Sequence, residues 1–388
     1  MKTLTRADMD TASTILTWSD GRSSQFHHIW LRDNCRCTDC GEPSTGRRSL
    51  RLSELDLNVA PEVVDIGSGD LQITWTDGHE SQFTALWLSR HAYDDDARRA
   101  RAFVPTLWDD DFRATPASMS FDAVNSGDSS FLEMLHHVRD CGLCFLKGAS
   151  AEAGTLEAFA GKVGYIQESN FGRVQDLVVD HSKQSVGNRT VALKAHTDEP
   201  YRASPSGILL FHCVETDVTG AGSSIFMDGF EIADVLRTED PEGFAALAQN
   251  RQMFRRHFAD DVDLIAEFPV ISVDEFHNVT GIRINDRVAA PASISPDQIP
   301  AYYRGMKRLL QLAEDPDRMI HLTLQPGDIA VFDNHRILHG RTDLTVNGRR
   351  WLQWIQVERG DFHSTLRITA DRLQQDRSID PLLRGAYS

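Results

Sequence analysis

The chain runs to 388 residues, with a formal net charge of −17, 41% hydrophobic residues and 25% charged ones. That composition suits a soluble globular protein with a sizeable core, and the length suits two domains at ~100–200 residues each. The negative charge opposes phosphate backbones and anionic membrane surfaces, so neither nucleic acid nor membrane is expected as a partner. No run reaches the ~18 apolar residues of a membrane span. The opening MKTLTRADMD has no apolar signal core, which makes the cytoplasm the expected home.

Residues 1–95 read as a small β-rich domain. TILTWSDGR and LQITWTDGHESQF alternate apolar and polar residues around Asp-Gly turns at 20–21 and 77–78, a strong hairpin signal. Cys35, Cys37 and Cys40 crowd into CRCTDC, while Cys141, Cys144 and Cys213 are scattered. Clustered thiols in a cytosolic chain point to metal rather than disulfides. A closed tetrahedral zinc site needs a fourth ligand. His79, just after the second Asp-Gly turn, leads, with His27 and His28 as rivals.

Residues 88–118 mix charge runs with two prolines and read as a linker or solvated helix, with 96–118 taken as the linker. The second domain, 119–388, opens with a helix from Ser129 to Gly142, a buried strand LCFLKG and a helix from Thr155 to Val163. Cys141-Gly-Leu-Cys144 imitates a redox pair, but Gly142 is better explained as a helix stop. From Gly207 the pattern turns to β, in ILLFHCV and SSIFMDGF, and Asp228 caps a helix through Ile232, Val235 and Leu236. Further β segments fall near 268–288, and an amphipathic helix spans Pro296 to Leu312. Ile320, Leu322 and Leu324 alternate as a strand before the Pro326-Gly327 turn. Ile329, Val331 and Phe332 form another, ending at Asp333-Asn334, and WLQWIQV a third. No internal repeat is apparent. Many short strands with few interleaved helices predict an antiparallel β core with helices outside. No glycine-rich phosphate loop follows a strand, so no nucleotide cofactor is expected.

His196 and Asp198 lie two apart in VALKAHTDEP and would share one face of a strand. A remote histidine would complete a 2-His-1-carboxylate triad, which leaves positions open on Fe(II). His335 and His339 follow the strand that ends at Asp333, with Arg349 and Arg350 beyond them.

IWLRDNCRCTDC with TWTDGHESQF, then ESNFG, HTDEP, VTGAGSSIFMDGF and FDNHRILHGR, resemble successive motifs of the γ-butyrobetaine hydroxylase family, within the taurine-dioxygenase superfamily of Fe(II)/2-oxoglutarate oxygenases. The resemblance implies a mainly β protein with flanking helices: a double-stranded β-helix, or jelly roll, beside a small β-rich zinc domain. It implies Cys35, Cys37, Cys40 and His79 as zinc ligands and His196, Asp198 and His339 as iron ligands, with His335 a decoy. Arg350 would grip the distal carboxylate of 2-oxoglutarate, as a planar guanidinium is suited to do, with the Ser224 hydroxyl beside it. The implied reaction consumes O₂ and 2-oxoglutarate, releases succinate and CO₂, and hydroxylates a small ammonium-containing zwitterion. A homodimer is implied as well.

Relatives acting on γ-butyrobetaine hold its trimethylammonium group in an aromatic cage, a cation–π device. Here Glu199 follows the metal-binding Asp198 where the family can carry Tyr, and Gln356 stands where Tyr is expected after Arg350. Phe171 and Tyr201 remain as aromatic candidates. Asn285 and Arg287, in GIRINDR, lie near where the family binds the acidic end of its substrate. The expected substrate contacts are therefore Glu199, Tyr201, Phe171, Asn285 and Arg287. Trimethylaminoethylphosphonate-type and trimethyllysine-type hydroxylation are the runners-up, and a non-catalytic zinc-stabilised binding protein is the alternative of another class.

Overall fold

Asp20-Gly21 and Asp77-Gly78 close their hairpins with both glycines in the left-handed region, φ 84° and 81°, where a Cβ would be strained. The structure, a computed structural model, describes residues 3–42, 45–178, 191–217, 221–258, 261–344 and 350–373. It divides into two units, Met1–Ala102 and Phe103–Ser388.

In the first unit, Leu4–Met9, Ser13–Trp18 and Ser23–His27 form one antiparallel sheet, and Pro61–Gly67, Asp70–Trp75 and Glu80–Phe83 another. The two sheets are copies of one pattern. W-x-D-G-x-x-S-Q-F-x-x-x-W-L occurs at Trp18–Leu31 and again at Trp75–Leu88. In each copy the tryptophan at the strand end donates to the serine six residues on, Trp18 to Ser24 at 3.1 Å and Trp75 to Ser81 at 2.9 Å. Each copy ends in a short helix, His28–Asp33 or Ala85–His91, and Trp30 and Trp87 meet at 5.5 Å between ring centroids. Leu16, Phe26, Leu71, Ile73 and Phe83 fill the shared core. The unit is thus an internal repeat, contrary to the expectation from sequence. Identity falls at the Asp-Gly turn, at buried strand positions such as Phe26 and Phe83, and at the tryptophan and leucine of each short helix.

In the second unit eight strands build the core: β1 (Gln175–Val178), β2 (Leu193–His196), β3 (Ile208–Glu215), β4 (Ser224–Asp228), β5 (Ile320–Leu322), β6 (Ile329–Asp333), β7 (Ile337–Arg341) and β8 (Trp351–Val357). One sheet has the order β1-β8-β3-β6, extended by Leu143–Lys147 and Ser118–Ser120; the other has the order β2-β7-β4-β5. This strand order is the jelly roll. Period-two alternation assigns each side chain to a layer. Leu209, Phe211, Phe332 and Trp354 point inward to meet Phe226 of the smaller sheet. Ile208, Leu210, Val331 and Ile355 point outward, under helices Asp128–Cys141, Thr155–Val163 and Arg359–Leu373. Helices Gly229–Glu239, Pro241–Gln249 and Ile299–Ala313 cover the other sheet through Met227 and Leu338.

Gly142 ends its helix at φ 79°, where a Cβ would lie 2.7 Å from Ile337, and Asp228 caps the helix at Gly229 by accepting from Phe230 N at 3.0 Å. Residues 96–118, expected as linker or solvated helix, carry short helices and are divided between the units at Ala102. Helix Asp95–Ala100 belongs to the first, while Trp108 is buried in the second, donating its indole N–H to Cys141 O at 2.8 Å. Its charge runs concealed one buried anchor. Residues 251–282 form two hairpins, Arg251–Phe258 with Val262–Pro269 and Ile271–Val273 with Val279–Ile282, of which only the second half was legible as β. The amphipathic helix begins three residues later than expected, at Ile299, and the strand through Leu324 ends at Leu322.

Candidate active site

Pairing between β2 and β7 sets His196 directly opposite His339. Their ring centroids are 4.7 Å apart. The strand then stops at His196, so Asp198 does not reach the site by strand alternation. Thr197 N donates to Ile284 O at 2.8 Å, Asp198 N donates to Asn334 Oδ1 at 2.7 Å, and Glu199 sits at φ 53°. A non-glycine residue in that region costs of order 1–3 kcal/mol and persists only where its surroundings over-determine it. The outcome is a turn that brings the Asp198 carboxylate to both imidazoles, 3.2 Å from His196 Nε2 and 3.3 Å from His339 Nε2.

These three residues fit one metal ion. Their ligand atoms lie within 4.8 Å of one another. His196 Nδ1 is 2.9 Å from Lys194 O, which can only accept, so Nδ1 carries the proton and Nε2 keeps its lone pair for a metal. Burial, foremost, holds His196 in the neutral form that a ligand needs. Burial works to raise the Asp198 pKa, yet His339 and His196 outweigh it and hold the carboxyl well below its usual range. His335 is elsewhere. It rides on the turn before β7, beside a separate cavity of about 260 Å³, where burial and then Arg359 push its pKa down to about 4.

The triad opens into a cavity of about 620 Å³. Arg350 and Ser224 stand on its wall, with Arg350 Nη2 donating to Ser224 Oγ at 3.2 Å. Arg350 forms no ion pair among the described residues, and burial, reinforced by Arg341, pushes its pKa down to about 10. A buried guanidinium is suited to pair with an anionic group.

Glu199, Tyr201, Phe171, Asn285 and Arg287 also line this cavity. The left-handed turn rather than strand alternation gives Glu199 its place. Its carboxylate already has neighbours: Arg202 Nε lies 2.9 Å away, off the N–H axis, and Ser206 Oγ donates at 3.0 Å. Burial raises its pKa all the same. Gln356 is not on the cavity wall; it is buried behind Glu199, accepting from Ser206. Arg256, Phe258 and Trp354 line the cavity and were missed from sequence. The period-two spacing of Phe254, Arg256 and Phe258 was the available signal.

In the first unit, Cys35, Cys37 and Cys40 lie 3.3, 3.6 and 3.5 Å from His79 Nε2. The cysteines follow the helix of the first copy and His79 follows the turn of the second, so one metal held by all four would tie the two copies together. The set has the three thiolates and one imidazole of a structural zinc site. His27 and His28 are committed elsewhere, to Tyr93 OH at 2.8 Å and Thr14 Oγ1 at 3.3 Å.

A jelly roll with a 2-His-1-carboxylate site and a buried arginine just before the next strand defines an Fe(II)/2-oxoglutarate-dependent dioxygenase. Residues 110–356 match the family described as taurine catabolism dioxygenase TauD, TfdA family, and residues 5–89 match the gamma-butyrobetaine hydroxylase-like N-terminal family. The chain belongs to the TauD/TfdA family. It is 34% identical to the gamma-butyrobetaine dioxygenase of Pseudomonas sp. (strain AK-1), over 91% of this chain and 92% of the relative. It is 27% identical to the human gamma-butyrobetaine dioxygenase, over 92% and 95% respectively. It is 26% identical to the trimethyllysine dioxygenase of Meyerozyma guilliermondii, over 94% and 95%.

Proposed function

We propose that this dioxygenase hydroxylates a small ammonium-containing zwitterion of the γ-butyrobetaine type. The observation that carries the reading is the 34% identity to a gamma-butyrobetaine dioxygenase, sustained over both the zinc unit and the catalytic unit. His196, Asp198 and His339 would hold the iron. When bound, Fe(II) with 2-oxoglutarate and O₂ supplies the oxidation of a C–H bond, and 2-oxoglutarate leaves as succinate and CO₂.

The chain's own contribution is placement. Arg350, with Ser224 Oγ, receives the distal carboxylate of 2-oxoglutarate in a buried pocket, where a charge-assisted pair is strong. Phe211, Phe226, Leu352 and Trp354 make the surrounding wall apolar and limit water near the triad. Asn285 and Arg287 take the acidic end of the substrate, and Tyr201, Phe171 and Glu199 face its ammonium end. The Arg202 contact leaves Glu199 only part of its charge to offer. The reading includes a cytoplasmic location and a homodimer, the latter carried by resemblance alone, and sedimentation at micromolar concentration tests the dimer.

The deciding experiment follows coupled 2-oxoglutarate turnover across quaternary amines, amino acids and aminophosphonates. Iron-dependent succinate release stimulated by an ammonium zwitterion is expected. Stimulation only by substrates lacking a cationic nitrogen would overturn the substrate reading. No stimulation by any compound, with an intact fold, would favour the non-catalytic alternative.

A further inference from the structure

The turn after His196 divides its residues between two cavities. Asp198, Glu199 and Tyr201 line the iron cavity, while Thr197, Asp198 and Pro200 line the second one, of about 260 Å³. The Asp198 carboxylate is committed to the first, 3.2 and 3.3 Å from the two imidazoles. Pro200, Pro205, Phe268 and Ile282 give the second cavity an apolar wall, and Arg283, Ser272, Thr280 and His335 are among its polar groups. Its size falls just below the roughly 300–1,000 Å³ of sites that enclose drug-sized ligands, so it suits a smaller molecule.

Arg283 brings a positive charge to this wall. Its guanidinium lies 3.5 Å over the Phe268 ring, which fixes the plane of the fork. Nη1 donates to Pro200 O at 3.4 Å and to Arg202 O at 3.3 Å, so one corner of the fork is spent on the Asp198 turn. Among the described residues, Nε and Nη2 donate to no acceptor and no carboxylate pairs with the guanidinium. Burial alone pushes its pKa down to about 10, as expected for a cation drawn out of water without an anion beside it. The hydroxyls of Ser272 and Thr280 also have no partner among the described residues. His335, with its pKa near 4, is neutral and supplies no counter-charge.

The Nε–Nη2 edge of a guanidinium matches the two oxygens of a carboxylate, in plane and one charge to one. An inorganic anion would leave the proline and isoleucine wall uncovered, whereas an aliphatic body covers it. We infer that this cavity binds a small aliphatic monocarboxylate, with its oxygens on Arg283 and its apolar end against Pro200, Pro205 and Ile282. None of these residues lines the iron cavity, so the site stands apart from the zwitterion reading.

The test titrates isobutyrate, and separately its neutral counterpart isobutyramide, calorimetrically into the iron-free protein with zinc retained. Isobutyramide is expected to bind at least about tenfold more weakly than isobutyrate. Arg283→Gln removes the cation. Gly281→Val fills the cavity and removes no charge, since a Cβ on Gly281 meets Ser272 at 3.6 Å and His335 O at 3.9 Å, both ordinary contacts. Each variant should weaken isobutyrate about tenfold or more at an unchanged thermal midpoint, and Gly281→Val decides alone if Arg283→Gln does not fold. Arg350→Gln should bind isobutyrate as the wild type does. Binding kept in Arg283→Gln and lost in Arg350→Gln would put the carboxylate on the 2-oxoglutarate arginine and overturn the inference. Equal binding of the amide, binding that survives in Gly281→Val, or no binding of isobutyrate by the folded wild-type protein overturns it as well.

Discussion

Asn334 holds Asp198 by its backbone from both sides. Its Oδ1 accepts from Asp198 N at 2.7 Å, and its Nδ2 donates to Asp198 O at 3.0 Å and to Ser206 O at 2.9 Å. It is 1% exposed. The carboxylate that meets both imidazoles is therefore aimed by a residue that touches no ligand atom. Asn334→Ala orphans these buried groups at roughly 1–3 kcal/mol each. The expected result is iron affinity at least about tenfold weaker, as for other outer-shell partners, with zinc content unchanged. Iron titration monitored alongside zinc analysis checks it, and equal loss of both metals would mean general unfolding instead.

The two metals should part cleanly. Asp198→Ala removes one iron ligand and is expected to abolish 2-oxoglutarate turnover, with about one equivalent of zinc retained. Cys37→Ser with Cys40→Ser should release the zinc, leave His79 without its partners and lower the thermal midpoint of the first unit. Elemental analysis of both variants decides; zinc persisting in the double-serine protein would rule out the four-ligand site.

Arg350→Lys keeps the charge and loses the planar fork. The half-saturating 2-oxoglutarate concentration should rise about tenfold or more, with substrate affinity little changed. Steady-state kinetics in each co-substrate separates the two effects. A rise in substrate KM alone would move Arg350 to the substrate subsite.

Among the described residues of the catalytic unit, Arg336 and Asp228 form the most buried ion pair, at 2.6 Å with both side chains 2% exposed or less. Arg336 also donates to Asp140 O at 2.7 Å and to Thr106 O at 2.5 Å, tying residues 103–109 to the jelly roll. Arg336→Ala strands a buried carboxylate and is expected to cost about 3–5 kcal/mol. Denaturant unfolding measures it, and a loss below about 1 kcal/mol would show that water reaches Asp228.

Acid should weaken the fold earlier than its carboxylates alone would dictate. Burial, then Arg359, push His363 down to about 3 and His335 to about 4, below the ordinary 6.5. Both are neutral in the fold, so their contribution is complete above pH 6.5 and is lost as pH falls toward those values, at roughly 1.4 kcal/mol per pH unit for each. Denaturation midpoints between pH 7.5 and 5 should fall accordingly, and His363→Gln should flatten the slope. A flat wild-type profile would contradict it.

Sequence alone determined the chemistry. Metal sites need particular donor atoms, so three cysteines in six residues, HTD and a pair of histidines four apart before Arg350 were legible without a fold. The hairpins were legible because Asp-Gly turns and period-two alternation are local. Long-range pairing decided the rest. His339 is opposite His196 on a paired strand whereas His335 falls on the turn before it, and spacing alone does not separate them. Glu199 reached the cavity through a left-handed turn held by contacts with residues more than 80 positions away. Arg256 and Phe258 came to the cavity wall on a hairpin whose own sequence names no site. Alternation fixes which side chains share a face, but only the packing of strands distant in sequence fixes what that face meets.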